Sequence, residues 1–207
     1  MNLEHYYWYF KKGLPIKLCD EIIKSGKERE SKLALTGEIS HKDLARLSKK
    51  EKKKKLKTRH SNVGWLNAPW IYNAILPFLN NANKSAGWNF EHSKAEDCQF
   101  TIYTKNHHYT WHCDSWHKPY SSDSPYEGLV RKLSLSVNLS NADEYKGGEL
   151  QFDFRNEAAG KNIHTCEAMK EKGSIVIFPS FVWHRVTPVT EGTRYSLVNW
   201  IVGKNFK

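Results

Sequence analysis

In the stretch Tyr109-Thr110-Trp111-His112-Cys113-Asp114, extended backbone sends Trp111 and Cys113 to one face and His112 and Asp114 to the other. An imidazole and a carboxylate then point into the same space, one strand step apart, where they can take adjacent positions on a metal ion. A third ligand is at hand in His184, which ends the apolar stretch Phe178-Pro179-Ser180-Phe181-Val182-Trp183. Two histidines and one carboxylate form the facial set suited to non-haem iron(II), with three metal positions left open. Ten residues past His184 stands Arg194. An oxo acid chelating the metal through its keto and 1-carboxylate oxygens fills two open positions, leaves the third for dioxygen, and needs a cation for its far carboxylate. Arginine suits that task, because its planar fork donates two parallel hydrogen bonds and keeps its charge. Along Arg194-Tyr195-Ser196-Leu197-Val198-Asn199-Trp200, the residues Arg194, Ser196, Val198 and Trp200 share a face, so Arg194 and Ser196 can clamp one carboxylate.

Taken singly, each of these features has a plainer reading. His112-x-Asp114 would be a surface pair or a hydrogen-bonded turn, His184 a satisfied core histidine, and Arg194 an exposed ion pair. Their joint spacing reverses that preference.

The elements that must position them change character along the chain. Residues 14–34 read as a helix, with Pro15 at its first position and Leu18, Cys19, Ile22 and Ile23 on one stripe. Residues 40–57 open with a capping box, Ser40 to Asp43, and carry few apolar groups, which suits a solvated helix or loop. Residues 68–83 read as a third helix, kinked at Pro77, with Ile71, Ile75, Phe78, Leu79 and Ala82 inward. From Trp88 onward come short aromatic and β-branched runs between turn formers. Leu133, Leu135, Val137 and Leu139 alternate with Ser134, Ser136, Asn138 and Ser140, and Leu150, Phe152 and Phe154 with polar neighbours. Helices followed by many strands predict a mainly β fold, a jelly roll buttressed on one face by helices. We read residues 1–207 as one domain, with 1–87 a mainly helical support carrying a basic insert at 40–58, and 88–207 the jelly-roll core. The segment 115–128, rich in turn formers and following Asp114 directly, suits a lid.

Composition narrows the classes further. An aromatic fraction of 13% among 207 residues supplies ample packing material for one core, which sets disorder aside. The apolar runs are too short to span a bilayer, and the first residues lack a secretory pattern, so the expected location is cytoplasmic. Cys19, Cys98, Cys113 and Cys166 form no CxxC pair and read as reduced thiols. A net charge of +10, much of it from the lysines at 49–57, suits an anionic partner or a solubilising surface.

The stretches Tyr103 with His112-x-Asp114 nine residues on, Gly147-Gly148-Glu149-Leu150, and His184 with Arg194-x-Ser196 ten on make the resemblance specific. Over residues 97–203 the chain resembles the prolyl 4-hydroxylase-like branch of the 2-oxoglutarate/iron(II) dioxygenase superfamily, particularly its small microbial and phage hydroxylases. That resemblance implies a double-stranded β-helix, with Fe(II), 2-oxoglutarate and dioxygen as cofactors and ascorbate in support. It implies His112, Asp114 and His184 as iron ligands, Arg194 where the branch often has Lys, and Tyr103 as a cosubstrate-binding tyrosine. Trp200, with Tyr109 and Trp116, is the expected substrate pocket. Leu150 departs from the GGET form, so a cosubstrate contact made by that Thr must come from Ser196 or Tyr103. Asp114 argues against halogenation, since related halogenases have a small residue there.

The implied reaction hydroxylates an amino-acid side chain, a peptidyl proline first of all, with release of succinate and carbon dioxide. Aromatic residues around the ligands, including Trp116, Tyr120, Tyr126 and Trp183, could line a groove for an extended peptide. Two other functions compete. One is oxidative demethylation of nucleic acid, with residues 49–57 on phosphates; the other is a non-enzymatic, basic jelly-roll binding module.

Overall fold

Why the polar half of the Leu-Ser alternation matters becomes visible once the two sheets are assembled. In the computed structural model, residues 3–29, 32–33, 48–115, 118–154 and 162–206 are described. In chain order the elements are β1 (Trp8–Phe10), α1 (Ile16–Lys27), β2 (Lys32–Leu33), α2 (Lys49–Thr58), β3 (Arg59–His60), β4 (Asn62–Leu66) and α3 (Pro69–Ser85). Then follow β5 (Lys94–Ala95), β6 (Cys98–Tyr103), β7 (His108–His112), β8 (Val130–Asn138), β9 (Tyr145–Gly147), β10 (Leu150–Asp153) and β11 (Ile163–Thr165). After a 3-10 turn at Glu167–Lys170 the chain ends with β12 (Ile175–Pro179), β13 (Trp183–Val186), β14 (Val189–Gly192) and β15 (Arg194–Gly203).

Two antiparallel sheets face each other as a jelly roll. The larger runs β1-β12-β8-β15-β6-β4-β2, with β5 also paired to β15; the smaller runs β11-β10-β13-β7-β3, and β14 pairs with β9. One face of the larger sheet packs on the helices. Leu133, Leu135 and Val137 of β8 join Ile22 of α1 and Ile71, Ile75 and Leu79 of α3 in one buried cluster, and burial of such side chains stabilises the fold by about 1.5–3 kcal/mol each. The alternate positions of β8 are buried too: Ser134, Ser136 and Asn138 are 9% exposed or less. A half-buried strand would leave them in water. Here they face the inside of the roll, which is where the site lies.

The N-terminal part differs from the sequence reading at the bounds of α1. Pro15 caps α1 from outside rather than opening it, and the helix ends at Lys27 rather than reaching 34. The capping box of the basic segment sits at Ser48 and Glu51, with Glu51 N–H donating to Ser48 Oγ and Ser48 N–H to Glu51 Oε2; Ser40 and Asp43 lie outside the described residues. The first 87 residues also supply strands to both sheets, β1, β2 and β4 to the larger and β3 to the smaller. α3 runs through Pro77 as one element. Among the described residues no helix is long and apolar enough to cross a membrane.

α2 is fastened to the site-bearing strand β7. Thr110 Oγ1 donates to Thr58 O at 3.0 Å, and His108 Nε2 lies 3.1 Å from Lys57 O. A helix this rich in lysine has little apolar surface to bury, so these contacts at its C-terminal carbonyls matter to its placement.

Candidate metal centre

His112 and His184 are direct partners across the antiparallel pair β7–β13. Asp114 lies two residues beyond the end of β7, and its N–H and that of Ser115 both donate to Ser180 O, at 2.8 and 2.9 Å. That turn brings the carboxylate beside the two rings: His112 Nε2 is 3.7 Å from Asp114 Oδ1, and His184 Nε2 is 3.6 Å from Oδ2. One ligand atom from each residue lies within 4.8 Å of the others, a spacing that could hold a metal ion. Each imidazole turns its Nδ1 to a nearby backbone carbonyl, His112 to Thr110 O at 2.7 Å and His184 to Val182 O at 2.9 Å. These carbonyls assign the proton to Nδ1 and leave both Nε2 lone pairs aimed at the centre.

The electrostatics agree with that assignment. Burial, reinforced by His184, pushes the His112 imidazole down to about 3, so it is neutral at ordinary pH. Burial opposes ionisation of Asp114, yet its electrostatic interactions with the His184 and His112 side chains and the Arg131 guanidinium prevail and hold it at about 2. Neutral imidazole and ionised carboxylate are the ligating forms. Asp114 Oδ2 also accepts a 2.7 Å hydrogen bond from Ser134 Oγ, itself 2.9 Å from Ser180 Oγ.

The three side chains open into a cavity of about 280 Å³ between the sheets. Tyr103, Tyr109, Arg194, Ser196 and Trp200 all line it, so the structure brings these predicted residues together with the metal cluster; Trp116 lies outside the described residues. Arg194 is the partner of Tyr103 across β15–β6 and is 2% exposed. Its buried Nε has no hydrogen-bond partner among the described residues. An orphaned, buried guanidinium donor is costly unless an anion meets the group, so the site fits a carboxylate as well as a metal. The double glycine explains how the chain passes this side chain. Gly147 and Gly148 have φ of 71° and 64°. A Cβ on Gly148 would lie 3.0 Å from Arg194 Cδ, and one on Gly147 2.2 Å from Pro188 O.

Strict alternation fails at one position. Because β7 ends at His112, Cys113 is released from the strand pattern and lines the cavity as well. Tyr109 stacks on His112, with ring centroids 3.4 Å apart and 12° between planes, and the Arg59 guanidinium lies 4.6 Å from the Tyr109 centroid.

Sequence reasoning missed Ser134 and Ser180, which support Asp114, and the pair Glu96–Arg131. Arg131 donates twice to Glu96, at 2.7 and 2.6 Å, and lies 3.9 Å over the Trp200 ring. Tyr120 OH donates to Glu96 Oε1 at 2.8 Å, which anchors the described part of the segment after Asp114. The strict polar alternation of β8 was the available clue to Ser134; Glu96, in the short link between β5 and β6, offered none.

Comparison with known proteins agrees with this geometry. The family model described as the 2OG-Fe(II) oxygenase superfamily matches residues 98–202. A PKHD-type hydroxylase of Xylella fastidiosa (strain M23) is 32% identical over 105 residues, 50% of this chain and 43% of the relative. One of Hyphomonas neptunium is 41% identical over 85 residues, 38% of this chain and 34% of the relative. The chain thus matches less than half the length of these curated relatives. Among solved structures, a Pseudomonas putida prolyl-4-hydroxylase aligns with TM-score 0.64 at 20% identity, covering 98% of this chain and 95% of that one. The viral collagen prolyl hydroxylase of Paramecium Bursaria Chlorella virus-1, in its 2OG complex, aligns with TM-score 0.63 at 19% identity, covering 97% of each. These two likenesses speak for the fold. With the family model matched over half of its residues, through both histidines, Asp114 and Arg194, the chain belongs to the 2OG-Fe(II) oxygenase superfamily.

Proposed function

We propose that the chain is an iron(II)- and 2-oxoglutarate-dependent dioxygenase that hydroxylates an amino-acid side chain in a protein or peptide, with a peptidyl proline as target. The observation that carries this reading is a buried arginine, Arg194, whose Nε has no hydrogen-bond partner among the described residues and which lines the same cavity as a two-histidine, one-carboxylate cluster. His112, Asp114 and His184 are the metal ligands. Arg194, with Ser196 and Tyr103 beside it, holds the far carboxylate of 2-oxoglutarate. Iron(II), when bound, supplies the activation of dioxygen that couples decarboxylation of 2-oxoglutarate to hydroxylation of the substrate.

The chain's own residues orient and shield. The Thr110 and Val182 carbonyls fix the ring orientations, Ser134 fixes the carboxylate, and Tyr109 covers one side of His112. Trp200 and Tyr109, which line the cavity, face the substrate. Ascorbate is expected to sustain turnover. The prolyl hydroxylases among the similar folds favour a proline target.

The test is aerobic incubation with iron(II), 2-oxoglutarate and a library of proline-bearing peptides. Succinate should form in step with gain of one oxygen atom on proline. Turnover of alkylated oligonucleotides but not of peptides would contradict the substrate class.

A further inference from the structure

Three arginines line the cavity, and they are not equivalent. Arg131 is neutralised by its two hydrogen bonds to Glu96. Arg194 is assigned above to the cosubstrate. Arg59 is left over. It is 8% exposed, lines the cavity, and is the cross-strand partner of Tyr109, whose ring it lies against while that ring stacks on His112. Its Nε donates to Ser61 Oγ at 3.1 Å, and no carboxylate among the described residues lies within ion-pair distance of it. A guanidinium more than nine-tenths buried, whose partners among the described residues are a neutral hydroxyl and an aromatic ring, is poised for an anion from outside the protein.

The surroundings point the same way. α2, with sequence KKEKKKKLKT, runs directly into Arg59 and is fastened to β7 through Thr58 O and Lys57 O. Lys55 and Lys57 in the last turn of α2 therefore bring positive charge beside Arg59, and that charge continues inside the cavity, an arrangement that concentrates and orients acidic ligands.

We propose that Arg59 is the substrate-facing cation of this cavity and that the substrate presents a carboxylate to it, either an acidic side chain next to the hydroxylated residue or a free main-chain carboxylate at that residue. The inference rests on the amino-acid hydroxylation proposed above. It makes Arg59 a specificity determinant, with its stack on Tyr109 setting the plane in which the carboxylate is met. A carboxylate matches the remaining edge of the fork in two parallel bonds, whereas a neutral amide does not.

The experiment uses the anaerobic full chain loaded with iron(II) and 2-oxoglutarate, whose chelate absorption is recorded first. Two peptide pairs are then titrated by calorimetry: a blocked peptide containing Pro-Glu against its Pro-Gln counterpart, and a peptide ending in proline as free acid against its amide. The acid of one pair should bind about tenfold more tightly than its partner, the value of one charged hydrogen bond, and the pair showing the gap identifies the source of the carboxylate. Arg59→Gln should close the gap, and Arg59→Lys should keep part of it. Equal behaviour within both pairs, whether all four peptides bind or none does, overturns the proposal, as does a gap that survives Arg59→Gln. Tighter binding of a single-stranded oligonucleotide than of any peptide overturns it in favour of a phosphate ligand. Absence of the chelate absorption in the parent overturns the function reading, and this inference with it; absence only in Arg59→Gln makes Arg59 a support of the iron site instead.

Discussion

Ser134 Oγ donates a 2.7 Å hydrogen bond to Asp114 Oδ2, so the one carboxylate of the metal cluster is held from the larger sheet while both imidazoles belong to the smaller. The cluster is thereby tied across the roll. Ser134→Ala should speed iron(II) release about tenfold, the usual effect of losing a partner behind a ligand, with the chelate absorption retained in excess iron. Stopped-flow chelator competition measures it.

Arg194 Nε is buried and has no hydrogen-bond partner among the described residues, so the side chain should cost stability that its ligand restores. Arg194→Met should leave the ligand-free protein as stable or more stable, by on the order of 1 kcal/mol, while 2-oxoglutarate binding falls roughly a hundredfold from loss of a two-bonded carboxylate contact. Thermal melts with and without 2-oxoglutarate separate the two effects. A clear loss of stability without ligand would mean that Arg194 is a structural residue.

His112 is held neutral by burial down to about 3, against an ordinary value near 6.5. Between those limits the unfolded chain binds more protons than the folded one, so stability of the metal-free protein falls as pH drops through that window. The loss should be on the order of 2 kcal/mol between pH 6.5 and 5. Asp114, held low at about 2, adds a further loss only below pH 4. His112→Gln should make the first window shallower, as read from denaturant midpoints at each pH, the remaining slope coming from His60, His92 and His107, which burial also holds low.

Cys19, Cys98 and Cys166 are buried, and burial pushes their thiols up to about 11, 12 and 11. Cys113 is partly exposed and lines the cavity beside two proposed iron ligands. A thiol reagent under native conditions should therefore modify Cys113 first, and iron(II) with 2-oxoglutarate should slow it at least tenfold by filling the cavity. Peptide mapping of the labelled protein checks the site.

Much of this was legible because strand periodicity is two. The alternation that puts Arg194 with Ser196 and Trp200 also decides which side chains enter the cavity, while Asp114 joins His112 through the turn after β7. What failed to show in the sequence depends on tertiary placement. Ser134 looks like a solvent-facing serine until both faces of β8 are found buried. Arg59 looks like the last cation of a lysine-rich run until β3 pairs with β7 and turns it inward. Cys113 breaks the alternation because the strand stops one residue before it. Strands β1 to β3 are too short to carry a periodic signal, and pairing with β12, β4 and β7, rather than propensity, makes them strands.

The most direct measurement is anaerobic titration of the full chain with iron(II) and 2-oxoglutarate, followed by the visible charge-transfer absorption of the chelate. The parent should develop the band at about one equivalent of iron; His112→Ala should lose it, and Arg194→Ala should need far more 2-oxoglutarate to reach it. A well-folded parent that develops no band, or a band unchanged in both variants, would contradict the assignment of the site.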